Sequence, residues 1–343
     1  MIPDILRAVL SGGSPDPGQL EAALDELMVG ELDEALAAAL LVALAGRPPE
    51  GAVLAAGARV LRRHRTALRS QLRPLVDTCG TGGDGSGTFN ISTAAAFVVA
   101  AAGCGVAKHG NRAVSSKVGS ADVLEELGLV LDLEPAASSA LLDATGFTFL
   151  FAPRYHPTMA RLAPLRRRLQ VRTLFNLLGP LSNPALAEVQ VLGVGEPGLV
   201  RPMAEALLEL GSDGALVVHC DGLDECGLHG TTRGLRLRDG ALEDFAVAPE
   251  DVGLSRAPVS ALRSDGREEA AEVLRDALAG DTGPTSEVVA LNAGAALMVA
   301  EQAPDLPAGV ALARELMASG EASRVLERSV ATSARLAPEV PAS

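Results

Sequence analysis

The 343-residue sequence contains no tryptophan, and aromatic residues make up only 2% of it. A core without large aromatic side chains has to be built mainly from alanine, leucine and valine; hydrophobic residues make up 48% of the chain. A chain of this length buries roughly three-quarters of the surface that it exposes when unfolded, so it needs no covalent cross-link to fold. The composition is typical of closely packed helices and parallel strands, in one large domain or two unequal ones.

Basic residues, cysteines and long apolar runs are also scarce. The 29 Lys and Arg residues against 43 Asp and Glu give a formal net charge of −14, which argues against nucleic acid or an anionic membrane surface as a partner.

The longest apolar stretch, residues 94–107, is interrupted by two glycines and is shorter than the ~20 residues of a membrane span. We expect a cytoplasmic protein without a signal peptide. The cysteines lack metal-binding spacing and are typical of reduced thiols: Cys79, Cys104, Cys220 and Cys226.

Residues 1 to about 70 carry only helical patterns. Asp16, Pro17 and Gln19 form the start signal of a helix. Its buried face is predicted to consist of Leu20, Ala23, Leu24, Leu27 and Met28. A second helix is expected to end at Gly46, and a third to continue to a basic end at residues 62–65.

From residue 75 onward, short apolar strands alternate with helical segments. The predicted strands are residues 75–76, 106–107, 129–131, 147–151, 191–194 and 216–219. This alternation indicates an α/β fold with a mostly parallel central sheet flanked by helices, in which ligands bind at the carboxyl ends of strands. We expect a small all-helical domain, residues 1–72 joined by about 164–188, and a larger α/β domain of residues 73–163 and 189–343.

The first predicted strand leads into a glycine-rich loop with the sequence DTCGTGGDGSGTFNIST, residues 77–93. Glycines allow backbone N–H groups to approach a phosphate, and the following helix N-terminus adds unpaired donors. The loop matches neither a Walker A motif nor GxGxxG, so an ordinary tight turn is the alternative interpretation. Asp84 would repel a phosphate unless a metal ion or a ribose hydroxyl lies between them.

A second loop, with the sequence KHGNRAVSSKVGS (residues 108–120), is rich in hydrogen-bond donors. Serine before a helix is ordinarily only a cap. An ammonium, a guanidinium, an amide and several hydroxyls before one helix favour anion binding over a solvated loop.

Two further groups of charged residues complete the candidate site. Asp221, Asp224 and Glu225 follow the strand that ends at residue 219; such carboxylates commonly cap turns, but beside two phosphate-type loops they are candidate Mg²⁺ ligands. A basic cluster consists of Arg166, Arg167, Arg168 and Arg172. Most such arginines face solvent, and the alternative is that one of them binds a substrate carboxylate with two hydrogen bonds.

Six motifs in this order resemble those of the anthranilate phosphoribosyltransferase family, over nearly the whole chain: GTGGD, NIST, KHGNRAVSS, GSADVLEELG, RTLFNLLGPLSNP and DGLDE. The resemblance implies that the phosphoribosyl group of phosphoribosyl pyrophosphate is transferred to the amine of anthranilate, in tryptophan biosynthesis, with Mg²⁺ as cofactor. It also implies the two-domain fold with the site between the domains, and a homodimer.

The resemblance also implies roles for individual residues. The residues expected to bind phosphoribosyl pyrophosphate are Gly80, Gly83, Asp84, Thr88, Asn90, Ile91, Ser92, Thr93, Lys108, His109, Gly110, Asn111, Arg112, Ala113, Val114, Ser115, Ser116 and Ser120. Those expected to contact anthranilate are Gly80, Asn111 and Arg166, and those expected to bind the metal are Ser92, Asp224 and Glu225. No catalytic side chain is assigned. His109 is a candidate acid or base, but it can equally shape the turn or line the acceptor site; the other four histidines are assigned no chemistry.

The sequence departs from the family pattern at two places. Gln170 stands where glycine is usual, and CGLHG after the acidic pair differs from the usual sequence; neither departure falls on a residue to which the resemblance assigns a ligand. A pyrimidine nucleoside phosphorylase shares the implied fold and a related glycine-rich loop, and a non-catalytic nucleic-acid-binding relative is the other alternative. The acidic pair and Arg166 favour the transferase over the first, and the acidic composition favours it over the second.

Overall fold

The structure, a computed structural model, describes residues 1–30, 33–113 and 118–338. Four helices come first, followed by a region in which strands and helices alternate. The first four helices are α1 (Ile2–Leu10), α2 (Pro17–Val29), α3 (Glu34–Ala45) and α4 (Gly51–Arg63). The start signal of α2 is confirmed, since the Asp16 carboxylate accepts a hydrogen bond from the Gln19 N–H at 2.8 Å. All five residues of its predicted apolar face are buried.

The alternating region builds one seven-stranded sheet. Its strands are β1 (Leu75–Gly80), β2 (Gly105–Gly110), β3 (Phe147–Phe151), β4 (Val189–Gly193), β5 (Gly214–His219), β6 (Thr232–Arg238) and β7 (Ala241–Val247). The other helices are α5 (Ile91–Ala101), α6 (Ser120–Glu126), α7 (Pro135–Thr145), α8 (Ala152–Tyr155), α9 (Met159–Leu169), α10 (Phe175–Leu178), α11 (Val200–Glu209), α12 (Arg267–Leu278), α13 (Pro284–Val299), α14 (Leu306–Ala318) and α15 (Glu321–Leu336). The predicted fold class, a small helical domain and a larger α/β domain, is confirmed.

The strand order is β3-β2-β1-β4-β5-β6-β7. The five strands from β3 to β5 are parallel, and β6 and β7 continue the sheet in antiparallel pairing. The chain moves outward from β1 to β3, then returns to place β4 on the other side of β1. The connections therefore leave in opposite directions between β1 and β4, which opens a crevice at the carboxyl ends of these strands.

One strand prediction is wrong, and two strands were not predicted. Residues 129–131 pair with no strand; instead, the Leu129 N–H donates to Leu124 O at 2.9 Å and the Val130 N–H donates to Ser333 Oγ at 3.1 Å. The leucines at 129 and 131 are buried as an extended connection between helices. β6 and β7 were missed because their exposed positions carry charged residues, which weakens the apolar signal.

The sheet separates two apolar clusters, since alternate residues of each strand point to opposite faces. Val191 and Val218 pack with α5 and α13 on one face, whereas Leu192 and Val217 pack with the N-terminal helices on the other. The second cluster also contains the buried residues of α9 and α10. We therefore propose, as the sequence predicts, that residues 164–188 belong with the helical domain of residues 1–72, and residues 73–163 and 189–343 with the α/β domain.

The four cysteines are buried and free. Among the helices that the structure describes, none combines the length and the apolar character needed to cross a bilayer.

Two glycines allow α13 and α14 to pack in close contact. A Cβ atom on Gly309 would overlap the Gly294 carbonyl oxygen, and a Cβ atom on Gly294 would lie 2.6 Å from the Val310 nitrogen. Because both contacts involve backbone, neither can be relieved by a side-chain rotation. The close approach of these helices therefore requires glycine at both positions.

We predict that Gly309→Ala lowers the free energy of unfolding by about 2 kcal/mol or more, because overpacking forces the two helices apart. Denaturant unfolding measures this change. Gly198→Ala is the matched control, since a Cβ atom there meets nothing within 4 Å and should change stability by less than about 0.5 kcal/mol. Equal stability of the two variants would contradict the proposed contact.

Candidate functional site

A cavity with a volume of about 890 Å³ lies at the carboxyl ends of β1 and β2. It is lined by the glycine-rich loop, the donor-rich loop, the acidic pair after β5, and α9. Every residue that the family resemblance assigns to a substrate or to the metal, within the described part of the chain, lines this cavity. Val114, Ser115 and Ser116 lie outside the described residues.

The glycine-rich loop has a backbone conformation that favours glycine. Gly82, Gly83, Gly85 and Gly87 all have φ between 69° and 73°, a region that other residues adopt only with strain. The Thr81 N–H donates to Gly193 O at 2.9 Å, which fixes the start of the loop against the end of β4. The loop then leads to the N-terminus of α5, which is directed at the cavity.

The acidic pair connects the glycine-rich loop to α5. Asp224 Oδ2 accepts a hydrogen bond from the Gly82 N–H at 2.7 Å, and Glu225 Oε1 accepts one from the Ser92 N–H at 3.1 Å. A Cβ atom on Gly80 or on Gly193 would overlap Asp224. The carboxylates therefore reach the strand ends only because these two residues are glycines.

Burial and mutual repulsion disfavour the charged forms of these carboxylates. Burial raises the pKa of Glu225 to about 7, and burial together with the neighbouring Glu225 and Asp84 charges raises the pKa of Asp224 well above its usual value. Lys108 offsets part of this charge. Lys108 is 2% exposed, and its ammonium donates to Thr78 O and, at 3.3 Å, to Ser92 Oγ.

The chemistry of these groups fits Mg²⁺. Magnesium prefers a few carboxylate oxygens together with water and phosphate oxygens, and the half-buried Asp224 and buried Glu225 carboxylates together favour a positive charge beside them. In the described part of the chain, no group of three or more His, Cys, Asp or Glu side chains is arranged as a metal site. Ser92, Asp224 and Glu225 would therefore hold the ion only together with oxygen atoms of a substrate or water.

In the donor-rich loop, Arg112 is engaged by the protein itself. Its guanidinium donates to Glu125 Oε1 at 2.6 Å and to Asp122 Oδ1 at 3.4 Å, and it lies 5.6 Å from the centre of the Phe151 ring. The Ser120 hydroxyl donates to Asn111 O at 3.4 Å. These contacts hold residues 110–113 against α6.

The four clustered arginines differ in their surroundings. Arg168 pairs with Glu34 at 2.7 Å, Arg167 is exposed, and Arg172 donates to Gly82 O at 2.9 Å. Arg166 lines the cavity with its guanidinium 5.7 Å from the Phe175 ring centre, and no carboxylate of the described residues lies within 4 Å of it. Burial lowers the pKa of Arg166, a cost that a bound carboxylate would offset.

His109 is held as a neutral ring. Its Nδ1 lies 3.1 Å from Gly179 O, and because a carbonyl only accepts, Nδ1 carries the proton. Burial lowers the pKa of His109 to about 3, so the ring is a weak base. Its Nε2 is therefore suited to accept a hydrogen bond rather than to hold a proton.

Five buried polar atoms of cavity-lining residues lack a hydrogen-bond partner among the described residues: Asn90 Oδ1, Thr93 Oγ1, His109 Nε2 and both ring nitrogens of His156. Buried polar groups in folded proteins are nearly always hydrogen-bonded, and exceptions commonly mark functional positions. The first three belong to residues predicted to bind the phosphoribosyl donor, whereas His156 was assigned no chemistry. A polar ligand is the simplest partner for them.

Several lining residues were not predicted. They include Ser86, His156, Gln170, Phe175, Asn176, Gly179, Ser182 and Ser264. Most of them lie in the segment LQVRTLFNLLGPLSNP, whose polar residues within an apolar run were the available signal. Gln170, which stands where glycine is usual in the family, ends α9 with φ +53° in the left-handed region, which explains the usual glycine.

Comparisons with known proteins agree with this geometry. The helical bundle domain of a glycosyl transferase family matches residues 3–65, and the α/β domain of that family matches residues 72–323. The anthranilate phosphoribosyltransferase of Symbiobacterium thermophilum is 49% identical over 325 residues, which cover 94% of this chain and 95% of that protein.

Two solved structures are also similar. The crystal structure of anthranilate phosphoribosyltransferase from Thermus thermophilus has a TM-score of 0.91 at 47% identity and covers 96% of this chain and 99% of that chain. The enzyme from Saccharomyces cerevisiae in complex with PRPP and Mg has a TM-score of 0.87 at 26% identity, with 97% and 98% covered.

The pH dependence of stability gives one test of the cavity wall. Burial lowers the pKa of His156 to about 4, so between pH 6.5 and 4 the unfolded chain binds a proton that the folded protein does not. The neutral His156 ring therefore contributes its full stability above pH 6.5, and this contribution is lost as the pH falls toward 4.

We predict that, over this pH range, His156→Gln loses about 2 kcal/mol less of its free energy of unfolding than the wild type does. Denaturant unfolding at both pH values measures it, and equal losses would contradict the burial of a neutral ring.

Proposed function

The chain belongs to the anthranilate phosphoribosyltransferase family, and on that premise we propose how its cavity divides the two substrates and the metal ion. The enzyme transfers the phosphoribosyl group of phosphoribosyl pyrophosphate to the amine of anthranilate and releases pyrophosphate. The proposal depends above all on one observation: the glycine-rich loop, the donor-rich loop and the acidic pair line a single cavity.

We propose that the two loops hold the phosphoribosyl donor. Gly82 and its neighbouring glycines present backbone at the end of β1, and the N-terminus of α5 adds a favourable dipole for an anion. Asn90 Oδ1 and Thr93 Oγ1 are free to accept hydrogen bonds from hydroxyl groups of a ribose. Arg112 and Lys108 make their own contacts within the protein, so their contribution is mainly to shape the loop and to add positive potential.

Ser92, Asp224 and Glu225 are the proposed Mg²⁺ ligands, as the carboxylate chemistry described above supports. When bound, Mg²⁺ supplies positive charge that stabilises the negative charge on the departing pyrophosphate. The protein's part is to hold the two carboxylates beside the glycine-rich loop. The yeast relative in complex with PRPP and Mg is consistent with this cofactor.

We propose that anthranilate binds between α9 and the donor-rich loop, with its carboxylate on Arg166 and with Gly80 and Asn111 beside it. Arg166 is a half-buried cation without a carboxylate partner among residues 1–30, 33–113 and 118–338, and the Phe175 ring beside it provides an apolar surface. Asn111 also lines the cavity. This arrangement would place the amine toward the sugar.

The reaction breaks the bond between the anomeric carbon and pyrophosphate and forms a bond from that carbon to the amine nitrogen, which loses one proton to the departing pyrophosphate. An aromatic amine is neutral near pH 7, so no strong base is needed to activate it. His109 Nε2 would accept a hydrogen bond from the amine N–H and orient it. Enclosure of the cavity would exclude the water that competes for the sugar.

The two alternatives are not favoured. A pyrimidine nucleoside phosphorylase would use inorganic phosphate, without the acidic pair and Arg166, and a nucleic-acid-binding relative would need a basic surface. The homodimer, which the resemblance implies, and the cytoplasmic location, which the sequence features described above indicate, stay predictions. The direct test combines purified protein, phosphoribosyl pyrophosphate, anthranilate and Mg²⁺ and follows the loss of anthranilate fluorescence. Cleavage of thymidine by phosphate without this turnover would support the phosphorylase instead.

For Arg166→Ala we predict an increase in the KM for anthranilate of about 10- to 100-fold with a smaller change for the donor, because a charge-assisted pair contributes about 1.5–3 kcal/mol. Steady-state kinetics measure both constants. Arg167→Ala, which alters an exposed arginine on the same helix, is the control and should leave them unchanged. An unaltered KM for anthranilate in Arg166→Ala would remove the assignment.

For Asp224→Asn we predict that the Mg²⁺ concentration needed for half-maximal activity rises at least about tenfold, because the amide keeps the shape and loses the charge. Titration of activity with Mg²⁺ at saturating anthranilate measures the effect. Asp221→Asn, at an exposed position outside the cavity, should behave as the wild type. The same Mg²⁺ dependence in all three proteins would argue against Asp224 as a ligand.

A further inference from the structure

Several buried polar residues lie where residues 179–185 pack against the sheet. We call Asp77, His109, Asn183 and Gln190 the buried polar cluster. Asp77 and Gln190 are register partners on β1 and β4, and Asp77 is 0% exposed. Strands of a parallel sheet that are covered on both faces are normally apolar, and a buried carboxylate is costly unless it is hydrogen-bonded. The cluster therefore requires an explanation.

Asp77 joins three parts of the chain. Its Oδ2 accepts a hydrogen bond from Asn183 Nδ2 at 2.8 Å, and its Oδ1 accepts one from the His109 N–H at 3.4 Å. Asn183 Nδ2 also donates to Ala107 O at 2.7 Å, and its Oδ1 accepts from the Ala185 N–H at 2.9 Å. One carboxylate thus connects β1, the beginning of the donor-rich loop, and the chain that follows α10.

The same segment contacts His109 from the other side. Gly179 O accepts the hydrogen bond from His109 Nδ1, and Gln190 Nε2 donates to Pro180 O at 2.7 Å. The backbone of His109 is therefore fixed by Asp77, and its ring is fixed by the segment that Asp77 holds through Asn183. Both contacts must persist for Nε2 to remain the acceptor in the cavity wall.

We propose that Asp77 is a positioning residue for the transfer reaction. It does not line the cavity, and it acts through its partners: it holds the segment 179–185 and the start of the donor-rich loop in one arrangement. This arrangement selects the tautomer of His109 and fixes the backbone at the start of the donor-rich loop. The inference rests on the proposed function, because the positioned groups belong to that site.

A carboxylate suits this position better than an amide of the same shape. Asp77 has two oxygens, and each accepts a hydrogen bond from a different donor. An amide has one oxygen and one NH₂ group, so it can satisfy either Asn183 or the His109 N–H, but not both. Asp77→Asn therefore breaks one of the two hydrogen bonds, either the one from Asn183 or the one from the His109 N–H, and hardly changes the volume of the side chain.

The test compares Asp77→Asn with Thr145→Val. Thr145 is buried and hydrogen-bonded to Leu141 O and Phe147 O, but it lies outside the cavity, so it controls for the loss of buried hydrogen bonds. Both variants are assayed at a temperature at which each is folded. We expect kcat/KM for phosphoribosyl pyrophosphate to fall about 10- to 100-fold in Asp77→Asn and to stay within about twofold in Thr145→Val.

A second readout does not depend on activity. The chain has five histidines, so ¹⁵N NMR of the labelled rings can show which nitrogen of His109 carries the proton. We expect the Nδ1–H form in the wild type and in Thr145→Val, and a mixture of tautomers in Asp77→Asn.

The outcomes separate this inference from the proposed function. Failure of the wild type to form phosphoribosylanthranilate would remove the proposed function, whereas the NMR result would still report on the cluster. An active wild type, with Asp77→Asn equal to the control in both kinetics and tautomer, would overturn the inference.

If Asp77→Asn does not fold, a second variant tests the same contact. Asn183→Ser removes the hydrogen bond between Asn183 and Asp77 from the other side and should give the same two effects. Wild-type kinetics and the wild-type tautomer in that variant would overturn the inference as well.

Discussion

Asp224 reaches the end of β1 because residues 80 and 193 have no side chain. A Cβ atom on either glycine would overlap Asp224. With glycine at both positions, the turn after β5 lies against the ends of β1 and β4, where its carboxylates meet the glycine-rich loop and the N-terminus of α5. The crevice that the strand order creates becomes a site with anion donors and metal-binding oxygens in the same space.

The charges of the site are balanced only when its ligands are included. Asp224 is half-buried beside the buried Glu225, and their removal from water raises the pKa of both carboxyl groups. Across the cavity, Arg166 lacks a carboxylate partner within the described residues. A divalent cation would neutralise the charge of Asp224 and Glu225, and an acceptor that carries a carboxylate would pair with Arg166. A protein of net charge −14 thus binds two anionic substrates through local features, not through its overall potential.

The parts of the site that the sequence predicts are those with local signals. The glycine-rich loop, the donor-rich loop and the acidic pair each occupy a few consecutive residues at a strand end, and parallel topology then brings them together. The strand predicted at residues 129–131 was wrong because a short apolar run does not distinguish a strand from a buried extended connection. The contact of Asp77 with Asn183 was missed because it joins residues 106 positions apart, for which one sequence has no signal.

The most direct measurement is a crystal structure of the protein with phosphoribosyl pyrophosphate and Mn²⁺ in place of Mg²⁺, in which anomalous scattering locates the metal. The account predicts a metal peak between the pyrophosphate oxygens and the Asp224 and Glu225 carboxylates, with the phosphoribosyl donor lying between the glycine-rich and donor-rich loops. A donor bound elsewhere, or a metal bound away from both carboxylates at full donor occupancy, would contradict it.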